Sequence, residues 1–458
     1  MTSAAAVSSR ILQAPAPQAM APARRSGVFT LFVLLTGTIF TRPSEIVPGL
    51  QGVPIYELLI VSCILICLPR ILEQVTLRSL VANPITFCVV GLLVSVVLSR
   101  LSHLAIADTI DKGWTFTKML LYYLLLVSVL DCPEKLRSFL LWLVGWMVIL
   151  ATLPVLQYHG LVDLSFLAPL KELDFDHLTG QELAVTRLIG IGIYADPNDL
   201  AHILAAGVPI CLYALSDRRS GSSRYVWLAP LGLFLYAIML TKSRGGLIAL
   251  VTGMGTFAVL RYGWRKALWL GLLAMPALVL LSDRQTDIST DEQTGQERIQ
   301  MWSDAMVAFR ANPLFGLGAW QFGGENSLVA HNSYIQAFAE LGLLGGTCFL
   351  GTYYLSLHAV GWLARQPAPP MDSRVVPLLP CLCGSIAAYA AGMLTLTRNF
   401  LPPTYLFPGL ATVCLGFMFP IARQSMQRVD LPLMRRLLAI SLAFVVVAYV
   451  FIRLSVRW

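Results

Sequence analysis

Charge is scarce in this chain. Asp, Glu, Lys and Arg make up only 13% of its 458 residues, where a soluble protein carries about 25%. So few charges cannot cover a surface that faces water, which excludes a string of soluble domains. No Walker A loop, GxGxxG turn, GxSxG elbow, HExxH or CxxC pair occurs. ATPase, dinucleotide-dependent and serine-hydrolase chemistry therefore have no support. The nine cysteines sit almost entirely inside apolar runs, as small buried filler.

Apolar residues are abundant instead, at 57% of the chain with a mean hydropathy of +0.71. They gather in runs at about 28–41, 54–69, 84–99, 114–130, 137–157, 197–215, 225–240, 246–260, 267–281, 332–363, 376–396, 405–421 and 437–452. Each is near the length a helix needs to cross about 30 Å of hydrocarbon. The expected fold is all-α: a polytopic membrane protein of 12–13 transmembrane helices, with the run at 437–452 deciding between the two numbers. Residues 1–26 read as a cytoplasmic tail, 27–452 as the membrane domain and 453–458 as a second tail.

The formal net charge of +8 follows from topology. Nineteen of the 33 Lys and Arg residues fall in the N-terminal tail and every second loop, and those loops are the shorter set. The positive-inside rule places that set, and the N-terminus, in the cytoplasm. No nucleic-acid partner is needed to explain the charge. Two polar stretches, about 158–196 and 282–331, then fall on the outer face. The second opens with Asp283, Asp287, Asp291, Glu292 and Glu297. Ile299, Trp302, Met306 and Phe309 follow at helical spacing, an amphipathic segment suited to the membrane interface. Asn312-Pro313 ends it, and Gly316, Gly318, Gly323 and Gly324 predict a flexible connector.

Three residues on that face could carry chemistry. Arg187 lies in RLIGIGIYADPNDLAH, ahead of the sixth run, and Arg244 in the tight turn TKSRGG. Either alone reads as interfacial snorkelling. Two guanidiniums beside glycines and an Asx-Pro turn fit an anion better, because the fork matches phosphate oxygens. His331 opens HNSYIQAFAELGLLG and could take a proton from an attacking hydroxyl. Asp196, Asn198, Asn332 and Tyr334 could support the site, although Asn332 and Ser333 also suit a helix cap. Asp174-Phe175-Asp176 is a DxD, a short pattern that some glycosyltransferases use to hold a metal, and it is common by chance. No metal site is expected.

RLIGIGIYADPNDLAH, TKSRGG and NPLFGLGAWQF followed by HNSYIQAFAELGLLG resemble the O-antigen ligase and O-antigen polymerase superfamily, over about residues 185–350. The resemblance implies a multi-pass glycosyltransferase of the bacterial inner membrane. It would take a glycan from undecaprenyl diphosphate on the periplasmic face and need no metal, nucleotide or other cofactor. Arg187 and Arg244 would hold the donor diphosphate, and His331 would activate the acceptor hydroxyl. The acceptor would be lipid A core of lipopolysaccharide, another polysaccharide chain or a protein. Ligase is the first reading and polymerase the alternative. A transporter or flippase of lipid-linked glycans is the competitor from another class. It predicts duplicated halves and a site at the bilayer midplane, and neither is visible in the sequence.

Overall fold

Each of the thirteen apolar runs lies on a helix. The computed structural model describes residues 26–164, 167–175, 182–281, 293–323, 329–425 and 428–456. The N-terminal tail up to residue 25, Asp176, the acidic run 283–292 and Gly324 lie outside them. The longer helices are α1 (Ser26–Thr41), α2 (Ile55–Gln74), α3 (Pro84–Leu101), α4 (Ile106–Val129), α5 (Pro133–Tyr158), α6 (Pro197–Ser216), α7 (Leu228–Thr241), α8 (Arg244–Tyr262), α9 (Trp264–Leu281), α10 (Gln293–Ala311), α11 (Ser333–Arg365), α12 (Leu379–Gly392), α13 (Pro402–Gly416) and α14 (Leu431–Ser455). Proline at the first turn starts α3, α5, α6, α13 and α14, where a missing N–H costs nothing.

Among the described residues, seven helices are long and apolar enough to cross a membrane by length and composition. They include Leu431–Ser455, the run that decides between twelve and thirteen. The protein is an all-α polytopic membrane protein. Helix α6 is its axis, with 83% of its most apolar window buried, against 22% for α2 and 17% for α14 at the rim. Inside the bundle, hydroxyls find partners across helices. Tyr123 shares hydrogen bonds of 2.8 Å with Thr86 on α3 and with Thr412 on α13. In a medium without water such pairs remove the cost of an unmet polar group.

Residues assigned by charge to one face do meet at one end of the bundle. Arg70 and Lys135 share Asp131 (3.1 and 2.8 Å), Arg137 pairs with Asp217 (3.0 Å), and Arg374 pairs with Glu134. The opposite end collects the first turns of α6, α8 and α11, and the candidate residues with them.

Two features differ from the sequence reading. An antiparallel hairpin, β1 (Leu170–Phe175) and β2 (Glu182–Arg187), stands in the long connection between α5 and α6, with Leu170 opposite Arg187. The apolar face of α10 is turned onto protein rather than lipid. Ile299 and Met306 are buried, and Met306 joins Ile335 and Ala339 of α11 and Ile452 of α14 in a small core.

Candidate functional site

The site is assembled from helix starts. Asp196 caps α6 by accepting from the Asn198 amide (2.8 Å), Ser243 caps α8 by accepting from Gly246 (3.0 Å), and Asn332 caps α11 by accepting from Tyr334 and Ile335 (3.0 and 3.1 Å). Each start presents the positive end of a helix dipole. Arg187, the last residue of β2, ties two of these starts together. Its Nε donates to the Thr241 carbonyl at 2.9 Å and its Nη2 to Asn198 Oδ1 at 3.1 Å. The same Oδ1 accepts from Ser243 Oγ at 2.7 Å. One amide oxygen thus fixes both the guanidinium of Arg187 and the turn that launches Arg244.

The glycines of TKSRGG have a steric reason. A Cβ on Gly245 would collide with Thr395 Oγ1, and one on Gly246 with Ala201 of α6. Only hydrogen fits there, so α8 can begin tight against α6 and the loop after α12.

Helix α10 brings in a third guanidinium that the sequence reading did not single out. Trp302 Nε1 donates to the Ala330 carbonyl at 2.6 Å, which seats α10 beside His331. One turn earlier, Arg298 comes within electrostatic range of Arg187, Arg244, Asp196 and His331. Burial is the main force holding the Arg298 guanidinium below its usual pKa; Asp196 opposes it, and Arg187 and Arg244 add to it. His331 is lowered as well, first by burial and then by Arg298, with Asp196 opposing. Burial and Arg298 thus both favour the neutral imidazole, the form able to accept a proton. Its backbone is left-handed (φ 48°), an uncommon state for a residue with a Cβ and one that clusters at functional sites.

A fourth arginine, Arg398, enters from the loop between α12 and α13. It pairs with buried Asp199, its Nη1 donates to the Ile193 carbonyl (3.1 Å), and its amide donates to Ser333 Oγ (2.9 Å). Burial lowers its pKa to about 10, against the pull of Tyr194 and Asp196. It braces the floor of the site. Two of the four supporting candidates serve the fold. Asn332 is consumed by capping, and Tyr334 points into the core, its hydroxyl donating to the Ala390 carbonyl at 3.0 Å. Asp196 and Asn198 remain at the cluster. Asp174 ends up on β1, and among the described residues no three His, Cys, Asp or Glu side chains gather as a metal site.

The connector after α10 is clamped through residue 322. Helix α11 breaks at Gly342 (φ 63°), and the chain at 313–318 fills the break, Leu317 and Gly318 donating to the carbonyls of Ala339 and Glu340 (2.9 and 3.0 Å) while Leu343 donates to that of Pro313 (2.8 Å). Gly316 and Gly342 touch backbone there and both carry positive φ, so a side chain at either would meet main-chain atoms. The Glu340 carboxylate accepts from the Trp320 and Phe322 amides (3.1 and 3.2 Å) and from Gln336 Nε2 (3.0 Å). Expected flexibility is replaced by hydrogen bonds because the broken helix leaves groups that need partners.

Residues 229–350 match the family model described as O-antigen ligase. The match places this segment in the O-antigen ligase and polymerase superfamily. It includes Arg244, Arg298, Glu340 and His331, together with both halves of the clamp at Gly316 and Gly342. Arg187, Asn198 and Arg398 lie outside it. No curated protein matches the chain.

Proposed function

We propose that this O-antigen ligase relative transfers a glycan from undecaprenyl diphosphate to an acceptor hydroxyl, as a ligase acting on lipid A core or a related acceptor. The observation that carries the reading is the gathering of Arg187, Arg244 and His331 around Arg298, at the end of the bundle where three helices start. Such an end favours an anion, and guanidiniums suit diphosphate oxygens. The sorting of basic residues supports an N-terminus in the cytoplasm of the inner membrane and a site on the periplasmic face.

In this scheme the acceptor hydroxyl gives its proton to the free ring nitrogen of His331. Its oxygen attacks the anomeric carbon from the face opposite the diphosphate, inverting that centre. The bond from carbon to diphosphate oxygen breaks, and the electron pair leaves with the phosphate. Charge grows on that oxygen as the bond lengthens, and Arg187, Arg244 and Arg298 stabilise it. No step is routed through a metal.

The test uses purified protein in liposomes with an undecaprenyl-diphosphate oligosaccharide, with and without lipid A core, and a chelator throughout. Glycan on lipid A core, lost in His331→Ala and Arg187→Ala at unchanged folding, is the expected result. Longer polyprenyl-linked chains would make the protein a polymerase. Wild-type rates in the Arg187 or Arg244 variant would overturn the diphosphate clamp.

A further inference from the structure

Sorting by charge explains the arginines at the end of the bundle away from the site, including Arg218, Arg219 and Arg261 around a cavity of about 230 Å³ that also holds Asp217. It does not explain two arginines at the end that carries the site. Arg310, in the last turn of α10, and Arg453, in the last turn of α14, line a smaller cavity of about 90 Å³ with Ser303, Val307, Tyr449 and Ile452. Among the described residues no carboxylate lines it. Arg453 is held in place, because its Nε donates to Tyr449 Oη at 3.1 Å and its guanidinium lies 5.6 Å over that ring. Beside and below the cavity runs the apolar rim of α14, with Val446, Val447 and Val450 exposed by 48–68%. In a membrane protein such a face is covered by acyl chains. The cavity thus offers two guanidiniums at the height where those chains end.

We propose that this groove between α10 and α14 binds the phosphate of an acidic membrane lipid, and that the lipid is the one bearing the acceptor. Charge complementarity selects a phosphate. The continuous apolar rim selects a lipid over a soluble anion, since only a lipid uses both surfaces. The lipid's role as acceptor rests on the glycan-transfer reading; its binding does not.

Full-length protein in phosphatidylcholine nanodiscs is offered diphosphoryl lipid A, phosphatidylglycerol or inorganic phosphate, and retained lipid is read by native mass spectrometry. Wild type should retain the two acidic lipids over phosphatidylcholine. The double variant Arg310→Ala/Arg453→Ala should lose about tenfold or more in affinity at an unchanged melting temperature, and Arg310→Lys/Arg453→Lys should keep most of it. Arg187→Ala should bind lipid as wild type does. Equal retention by the double alanine variant would overturn the proposal, as would preference for phosphatidylcholine or equal displacement by inorganic phosphate. Arginine-dependent lipid binding in a protein that forms no glycosidic bond with any acceptor would retain the lipid site and sink the transfer reading instead.

Discussion

Replacing Arg298 by alanine separates a charge that serves chemistry from one that serves the fold. Arg298 is half-buried, and its charged form is disfavoured by burial and by Arg187 and Arg244. A residue kept for stability would not be placed there. Removing it relieves repulsion, so the melting temperature should stay level or rise. The rate should fall. Losing one preorganised donor to a developing oxyanion costs about 3 kcal/mol, and at 1.36 kcal/mol per decade that is a drop of about 150-fold. Arg298→Lys should recover part of it, because charge is restored without the planar fork. The assay is the initial rate of glycan transfer from a labelled undecaprenyl-diphosphate oligosaccharide in liposomes, beside a melting curve with and without inorganic diphosphate. Diphosphate should raise the melting temperature of wild type more than that of the variant, as expected for a ligand bound only by the folded state. A variant within threefold of the wild-type rate, or one that loses activity only in step with folding, would refute the reasoning.

The lowered pKa of His331 sets a pH dependence: its neutral form is the base, so transfer should rise with pH through a value below the ordinary 6.5 and then level off. Arg298 lowers that value and Asp196 raises it, so Arg298→Ala should move the rise to higher pH and Asp196→Asn to lower pH; rate profiles that do not move in these directions would remove His331 as the base. At the turn, Gly245→Ala should destabilise by setting a methyl against Thr395, and the added change Thr395→Gly should restore much of the loss, as read by melting temperature.

Much of the fold was legible because a run of apolar residues long enough to span hydrocarbon is rarely tolerated anywhere but in a bilayer. Arg187, Arg244 and His331 were legible for a different reason, each standing beside a local signal: an Asx-Pro turn, a pair of glycines, a helix cap. Arg298 has no such neighbour. On the polar side of an amphipathic helix an arginine looks like an ordinary solvated residue, and only the seating of Trp302 against Ala330 turns it to the site. Arg398 was hidden likewise, because its partner Asp199 lies almost two hundred residues earlier. Periodicity gave the apolar face of α10 correctly but not what it faces, since protein and lipid make the same demand on a side chain. The connector misled for the opposite reason. Its glycines read as freedom, whereas two of them permit the close approach that locks 313–318 into the break of α11.

One helix joins the two parts of the proposed reaction. Arg298 stands near the start of α10 and Arg310 near its end, twelve residues apart, which at 1.5 Å per residue separates them by about 18 Å along the axis. Between them Ile299, Ala305 and Met306 are buried, and Ala305 and Met306 pack in one small core with residues of α11 and α14. Trp302, which seats α10 beside His331, stands eight residues from Arg310, so in the proposed reaction a lipid whose phosphate rests on Arg310 and Arg453 would span about 12 Å along the axis to bring a hydroxyl to His331. A bare phospholipid headgroup is too short. A headgroup that carries several sugars beyond its phosphate has the reach, and its far end is where a free hydroxyl would meet the donor. On the transfer reading, the spacing of two arginines along one helix would suit an acceptor with sugars beyond its phosphate better than a short one.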